Sequence, residues 1–350
     1  MPLDDTNADS LDRYSRQVRF APLGEEGQQR LAQSSALVVG CGALGSAIAN
    51  TLVRSGVGRV RIVDRDFLEL SNLQRQVLYD EADVAAGLPK AIAAARKLTS
   101  INSTVTVEPI VADVTHKNIA DLADGCDAIV DGTDNFEVRF LLNDYSLSSG
   151  APWVYGGVIG SEGQCMTILP GETACLACLL AEPPPPGVSP TCDTAGVLGP
   201  AVNMVAAVQA AEAMKLLSGN TEATSRKLTI FDLWRNTMRQ VDLTKLKESG
   251  ACRACGERDF VWLDGRRGSK SAVLCGRNAV QLRPDGEQQL DLETLADSLE
   301  TVADVVVNEF LLRAETDKYT ITLFPDGRAI IAGTDDIAVA RSVFAQLVGA

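Results

Sequence analysis

Short apolar runs alternate with helix-like stretches along the first two thirds of the chain. The runs at 36–40 and 59–64 have the length and composition of buried strands, and the stretch at 43–55 between them has a helical pattern. This β-α-β alternation predicts an α/β domain with a parallel sheet. The pair at 154–159 and 164–169 is expected to be antiparallel. The further elements are strands at 104–111, 127–131, 228–232 and 238–243, and helices at 89–99, 137–147 and 201–217.

Two breaks interrupt this pattern. Four consecutive prolines at 183–186 exclude a helix or a central strand, so the stretch 182–200 is expected to be a long loop. The charged, glycine-containing stretch 260–268 indicates a domain boundary. We therefore predict a large domain at 1–262 and a small α/β or α+β domain at 263–350. The small domain should contain a helix at 292–302, strands at 305–313, 319–324 and 329–332, and a last helix at 335–347 capped by Thr334 or Asp335.

Composition narrows the range of partners. The formal net charge of −14 argues against nucleic acid as the main partner, because binding to a phosphate backbone needs a basic surface. No apolar run reaches the roughly 18 residues that a membrane span needs. The polar, acidic stretch 1–12 lacks the features of a secretory signal. We therefore expect a cytoplasmic protein without a membrane partner.

A glycine-rich segment connects the first predicted strand to its helix. Gly40, Gly42 and Gly45 have the G-x-G-x-x-G spacing, which permits a tight turn and lets a phosphate approach the helix N-terminus. Asp64 ends the second strand, where a carboxylate can accept hydrogen bonds from ribose hydroxyls. These features predict a Rossmann-like doubly wound sheet that binds a nucleotide. They do not by themselves separate NAD from ATP.

Charged side chains beyond this loop favour ATP. A dehydrogenase needs no group of cations there, whereas an ATP-dependent transferase must stabilise charge as pyrophosphate leaves. Arg75 and Lys90 are the candidates, with Asn72 as a neutral donor, although a lysine on a helix is often a solvated surface residue. Asp134 follows the strand at 127–131, where it can hold Mg²⁺ or cap the next helix, and both interpretations stay open.

The nine cysteines include one set with metal-binding spacing. Two C-x-x-C pairs are formed by Cys175, Cys178, Cys252 and Cys255. Four thiolates suit a tetrahedral, structural Zn²⁺ with no position left for water. Cys192 lies alone in the predicted long loop, where it is either a nucleophile or an incidental thiol. Cys275 precedes a Gly-Arg pair, and an incidental position is its plainer interpretation.

The order of these motifs resembles that of the MoeB/ThiF/HesA family, the bacterial relatives of ubiquitin-activating enzymes. In order they are RYSRQ, GCGALG, IVDRDFLELSNLQRQ, Lys90, DGTDN, CLAC, TCDTAGVLGP and CRACG, and they extend over 12–257. The resemblance implies ATP-dependent adenylation of the C-terminal glycine carboxylate of a small ubiquitin-like sulfur carrier of the ThiS/MoaD type. Pyrophosphate is the expected second product.

The resemblance also implies which residues contact MgATP. They are Gly40, Gly42, Ala43, Gly45, Asp64, Asp66, Ser71, Asn72, Arg75, Gln76, Lys90, Asp134 and Asn135. Among them Asp64 would bind the ribose, the side chains of Asn72, Arg75 and Lys90 would address the phosphates, and Asp134 would hold Mg²⁺. Many relatives have glycine where this chain has Ala43, and the extra methyl group is expected to be tolerated.

The remaining implied roles involve other proteins. Arg16 would reach into the active site of the partner in a homodimer, and Cys192 would link covalently to the carrier as sulfur arrives from a cysteine desulfurase or a rhodanese-type protein. The expected catalytic set is therefore Arg16, Arg75, Lys90, Asp134 and Cys192. Adenylation of a peptide or small-molecule carboxylate, and NAD-dependent oxidoreduction, are the alternatives. The pathway and the task of the small domain stay open.

Overall fold

The computed structural model describes residues 12–184, 195–268, 271–274, 278–282 and 290–348. The described chain divides into two compact units. The first comprises the residues up to Pro184 together with Val197–Arg267, and the second comprises the stretch that ends at Gly196 together with the residues from Gly268 onward. No helix within these described ranges is long and apolar enough to cross a membrane.

The first unit is built on an eight-stranded mixed sheet. Its strands are β1 (Ser35–Val39), β2 (Arg59–Val63), β3 (Thr106–Ile110), β4 (Ala128–Asp131), β5 (Trp153–Ile159), β6 (Glu162–Ile168), β7 (Lys227–Asp232) and β8 (Thr237–Asp242). They lie in the order β3-β2-β1-β4-β5-β6-β7-β8. The pairs from β3 to β5 are parallel, and those from β5 to β8 are antiparallel. The predicted doubly wound sheet with an antiparallel continuation is confirmed.

Helices cover both faces of this sheet. They are α1 (Ser15–Val18), α2 (Gly24–Gln33), α3 (Ala43–Arg54), α4 (Glu81–Ala85), α5 (Lys90–Ile101), α6 (Ile119–Ala123), α7 (Phe136–Ser149), α8 (Leu176–Leu179), α9 (Gly199–Leu217) and α10 (Thr244–Glu248). Strand β1 shows why both faces are needed, because all five of its residues are buried. Ala36 and Val38 pack into the core with α3 and α9, whereas Leu37 and Val39 pack into the core with α7.

The second unit is an antiparallel sheet with two helices. Its elements are β9 (Ser271–Leu274), β10 (Ala279–Leu282), α11 (Leu292–Leu299), β11 (Asp304–Val307), β12 (Leu312–Glu315), β13 (Thr320–Leu323), β14 (Ala329–Ala332) and α12 (Ile337–Val348). The strand order is β11-β12-β13-β14-β10-β9. Leu292, Ala296 and Leu299 of α11 join Ala340 and Val343 of α12 in a core of its own. The predicted α+β fold of the small domain is confirmed.

Three details of the prediction are wrong. The expected strand at 305–313 is two antiparallel strands, β11 and β12, because the Asn308 side chain accepts hydrogen bonds from the N–H groups of Phe310 and Leu311 and closes a turn. The last helix is capped by Asp336, whose carboxylate accepts from the N–H groups of Ala338 and Val339. Helix α9 begins at Gly199, inside the stretch expected to be loop.

Candidate active site

The carboxyl ends of β1, β2 and β4 meet where the strand order reverses, which is the usual ligand site of an open α/β sheet. Here the glycine loop touches the DGTDN loop backbone to backbone. A Cβ on Gly45 would lie 1.8 Å from the Gly40 carbonyl oxygen, and one on Gly132 would lie 2.5 Å from the same atom. Gly40 has a φ of 83°, which favours glycine. The motif is therefore required by close backbone packing as well as by any ligand.

Asp64 holds the backbone of the glycine loop through a hydrogen bond to its carboxylate. One carboxylate oxygen accepts from the Cys41 N–H at 2.5 Å, and the other accepts from the Asp66 N–H at 2.7 Å. Burial raises the pKa of Asp64, and the charge of Lys90 opposes that rise. A carboxylate offers about four acceptor positions. The two hydrogen bonds use half of that capacity, and a role of Asp64 toward ribose hydroxyls stays a prediction.

Lys90 is a buried cation and not a solvated one. Its side chain is only 4% exposed, and its ammonium nitrogen lies 3.2 Å from a carboxylate oxygen of Asp66. The Lys90 N–H also donates to the Asp66 carbonyl at 2.8 Å. Pro89 precedes the lysine as the N-cap of α5, so Lys90 lies at the positive end of a helix. Burying a cation here is costly, which agrees with a role toward an anion.

The SNLQRQ segment, residues 71–76, begins within a short 3₁₀ turn, Leu70–Asn72. Asn72 is buried and its side-chain oxygen accepts from the Glu69 N–H at 3.2 Å. Arg75 is half-buried and donates to the Ser71 carbonyl at 3.0 Å. The buried side-chain oxygen of Gln76 has no hydrogen-bond partner among the described residues. A buried acceptor in that state is unusual in a protein and fits a site that takes a hydrogen-bonding ligand.

Gln76 also borders the glycine loop. Its side-chain nitrogen is 3.8 Å from the position that a Cβ on Gly42 would occupy. The structure therefore brings the SNLQRQ segment to the loop that was predicted to hold phosphates. Ala43 begins α3, and Gly42 is its N-cap residue. Ala43 therefore takes a helical position that tolerates a side chain.

The DGTDN loop settles one of the two interpretations of Asp134. The cap of α7 is Asn135, whose side-chain oxygen accepts from Glu137 N–H at 2.8 Å and from Val138 N–H at 3.4 Å. The interpretation of Asp134 as the cap is therefore wrong. Asp134 is exposed, and it lies two positions after Gly132, which touches the glycine loop. A metal ion at Asp134 stays a prediction.

A buried ion pair under this loop was not predicted from the sequence. The Arg139 side chain lies 3.2 Å from the Asp131 carboxylate, and the carboxylate side chain is fully buried. Arg139 also donates to the carbonyls of Thr133 at 2.6 Å and Gly156 at 3.0 Å. Burial raises the pKa of Asp131 to about 6, and the Arg139 charge opposes that rise. The available signal was an arginine within an apolar run of α7, between Val138 and Phe140.

The remaining candidates lie apart from this set. Arg16 is exposed on α1, which is held to the unit by hydrogen bonds from the Gln17 side chain to Gln28 at 2.6 Å and to the Ser55 carbonyl at 2.9 Å. Cys192 and Cys275 fall outside the described residues.

The four cysteines of the C-x-x-C pairs converge on one point. Their sulfur atoms all lie within 4.8 Å of one another, with neighbouring separations of 3.4–3.8 Å. A tetrahedral zinc–thiolate site with Zn–S bonds of about 2.3 Å requires sulfurs roughly 3.8 Å apart. The four thiols therefore fit Zn²⁺. The site ties the start of α8 to the chain after α10 and joins the core beneath α7.

The comparison with protein families agrees with this geometry. The ThiF family model matches residues 14–254, a range that covers the nucleotide loop, the SNLQRQ and DGTDN segments and three of the four clustered cysteines. The fourth, Cys255, is the next residue after the match. The chain belongs to the ThiF family. The match ends before Gly268, so the part of the second unit that begins there lies outside the matched range.

Two curated relatives extend the comparison of this ThiF-family chain. The sulfur carrier protein ThiS adenylyltransferase of Bacillus subtilis (strain 168) is 48% identical over 338 residues, which are 96% of this chain and 99% of that protein. Because that alignment is longer than the family region, it includes the second unit. The SAMP-activating enzyme E1 of Haloferax volcanii is 42% identical over 251 residues, which are 72% of this chain and 91% of that protein.

Solved structures share the fold of the first unit. The crystal structure of E. coli MccB with ATP has a TM-score of 0.61 and 23% sequence identity, and it covers 70% of this chain and 74% of that one. At this identity the likeness shows the fold alone.

Proposed function

We propose that this ThiF-family protein adenylates the C-terminal carboxylate of a small ubiquitin-like sulfur carrier of the ThiS/MoaD type. The observation that carries the proposal is the buried Lys90, which pairs with Asp66 and whose charge acts on Asp64, the predicted ribose ligand. A dehydrogenase has no use for a buried cation at this point, whereas a phosphate does. The curated relatives, two of them named above as enzymes that activate carrier proteins, supply the substrate class.

The reaction follows from the chemistry of the site. A carboxylate oxygen of the carrier attacks the α-phosphorus of ATP, the bond from that phosphorus to the bridging oxygen breaks, and pyrophosphate leaves with the electron pair. The carboxylate is already a nucleophile, so no general base is needed. Lys90, Arg75 and Asn72 are placed to position the phosphates and to stabilise the charge that develops on them.

Two metal ions have separate tasks in this proposal. Asp134, exposed beside the glycine loop, would hold Mg²⁺ through its carboxylate. Mg²⁺ would neutralise charge on the leaving pyrophosphate. Zn²⁺ at the four cysteines would be structural, because four thiolates complete its coordination.

The wider organisation is also a proposal. Residues 1–262 form the adenylation domain, and 263–350 form an accessory domain. A homodimer would bring the exposed Arg16 of one subunit to the site of the other. Sulfur would come from a cysteine desulfurase or a rhodanese-type protein and pass through Cys192. The cytoplasmic location and the absence of nucleic-acid partners stay predictions.

Exchange of radiolabelled pyrophosphate into ATP tests the adenylation step. The protein is mixed with Mg²⁺, ATP and a purified carrier that ends in Gly-Gly, and carrier-dependent exchange is expected. Asp134→Asn should abolish exchange while keeping the fold. Asp124→Asn is the matched control, because Asp124 is an exposed acid before the opposite end of β4. If every carrier of this type failed to support exchange, the proposal would be contradicted.

Cys192→Ala separates adenylation from sulfur transfer. Exchange should keep its full rate in this variant, because attack on the α-phosphate needs no thiol. Formation of the thiocarboxylate on the carrier should fall, as followed by the mass of the carrier. Loss of exchange in Cys192→Ala would show that this division of tasks is wrong.

A further inference from the structure

Tyr79 is a buried residue that neither the nucleotide motif nor the proposed reaction uses. It is 7% exposed and lies just after the SNLQRQ segment, three positions beyond Gln76. Its hydroxyl oxygen lies 2.8 Å from the Cys41 carbonyl, 3.0 Å from the Cys41 sulfur and 3.1 Å from the Lys90 carbonyl. One side chain therefore contacts the glycine loop and the first residue of α5 at the same time.

The protonation states of Tyr79 and Cys41 determine which group donates in each hydrogen bond. Burial raises the pKa of the Tyr79 phenol well above its ordinary value, and burial raises the pKa of the Cys41 thiol to about 12. Both groups are therefore neutral at physiological pH. The Tyr79 hydroxyl has a single proton, which the carbonyl oxygens of Cys41 and Lys90 share as a three-centre hydrogen bond, and its own oxygen can accept from the Cys41 thiol. Cys41 is thus a packed thiol and not a nucleophile.

The backbone of Cys41 is held on both sides. Its N–H donates to the Asp64 carboxylate at 2.5 Å, and its carbonyl accepts from Tyr79. Cys41 lies between Gly40 and Gly42, so this pair of bonds sets the loop that faces the phosphates. The hydrogen bond from the Tyr79 hydroxyl to the Lys90 carbonyl holds the start of α5 in position relative to that loop.

A second set of contacts holds the Tyr79 segment onto α5. Asp80 caps α4, and the ammonium group of Lys97 on α5 lies 2.6 Å from Asp80 and 3.0 Å from Asp83. Lys97 lies seven positions after Lys90 on the same helix, or about two turns away. The segment after Gln76 is therefore fastened to the Lys90 helix at two points.

We propose that Tyr79 is a positioning residue that holds the glycine loop, the SNLQRQ segment and Lys90 in the one arrangement that binds the ATP phosphates. This inference rests on the proposed ATP site. In this inference the Tyr79 hydroxyl, behind the site, fixes the relative positions of three elements that are separate in the sequence. A displacement of about 1 Å at a reacting centre can cost roughly a hundredfold in rate, so such a residue has a measurable effect.

Equilibrium dialysis of the full-length protein with radiolabelled ATP and Mg²⁺ tests the inference. It gives both the dissociation constant and the number of sites per chain. Tyr79→Phe keeps the ring and removes the hydroxyl, and we expect ATP binding about tenfold weaker with an unchanged number of sites. A purely structural defect would instead reduce the number of sites and leave the dissociation constant unchanged.

Tyr14→Phe is the matched control. The Tyr14 hydroxyl is also buried and accepts from the Asn102 side chain at 2.7 Å, at the far end of α5. This variant loses a comparable buried hydrogen bond without touching the loop or Lys90. Its dissociation constant for ATP should change by less than about twofold. An equal effect in Tyr14→Phe and Tyr79→Phe would overturn the inference.

The decisive comparison uses Lys90→Ala. If Tyr79 acts partly through Lys90, the effect of Tyr79→Phe should shrink from about tenfold to about threefold in the Lys90→Ala background. Equal effects in both backgrounds would overturn the inference while leaving the proposed site intact. Unchanged ATP binding in Lys90→Ala alone would refute the proposed site itself, and the inference with it.

Discussion

Replacing Arg139 by methionine removes the cation from a buried ion pair while keeping most of the side-chain volume. The change leaves the fully buried Asp131 carboxylate without its partner and deletes hydrogen bonds to the carbonyls of Thr133 and Gly156. Breaking a buried pair from one side costs about 3–5 kcal/mol, because the remaining charge stays uncompensated. We expect a loss of this size near neutral pH.

The loss should depend on pH. In the native protein burial raises the pKa of Asp131 from 3.8 to about 6. Between these values the folded state keeps a proton that the unfolded state has lost, so the free energy of unfolding falls as pH rises and levels off above about 6. Arg139→Met removes the charge that lowers this pKa, so the pKa of Asp131 rises further. The free energy of unfolding of the variant therefore keeps falling at pH values above about 6. At about 1.36 kcal/mol per pH unit, the variant loses roughly 3 kcal/mol more at about pH 8 than at about pH 5.5.

Urea unfolding followed by tryptophan fluorescence measures this effect in the first unit alone. The chain has three tryptophans, Trp153, Trp234 and Trp262, and all of them belong to that unit. Arg54→Met is the control, because Arg54 is exposed on α3 and its loss should change stability by less than about 0.5 kcal/mol. Equal destabilisation by Arg139→Met at both pH values would refute the reasoning, since it would mean that Asp131 does not titrate between them.

Two further predictions concern the zinc site and the glycine loop. Cys252→Ser should lower the bound zinc, measured by mass spectrometry of the metal, from about one ion per chain to well below that, and should lower the melting temperature; an unchanged zinc content would contradict the site. Gly45→Ala should abolish ATP binding in dialysis, because the added Cβ would lie 1.8 Å from the Gly40 carbonyl oxygen. Ala43→Gly is the control and should bind ATP normally. Normal binding by Gly45→Ala would contradict this prediction and show that the loop can rearrange.

Elements whose signal is local could be predicted from the sequence. Apolar runs and glycine spacing gave β1, the loop at 40–45 and α3 within one or two residues, because periodicity and turn chemistry act over a few positions. The two C-x-x-C pairs gave the zinc ligands for the same reason, since three-residue spacing suits one metal ion. The order of motifs was sufficient for the family.

Which polar groups are buried together became known only from the folded chain. Nothing near Lys90 in the sequence distinguishes a solvated lysine from one held against Asp66, because the two are joined by the meeting of separate elements. Arg139 with Asp131, and Tyr79 with Cys41, are likewise brought together by packing across the sheet and its loops. Desolvation depends on what surrounds a group in three dimensions, so neither the pairing nor the pKa of these residues could be predicted from local pattern.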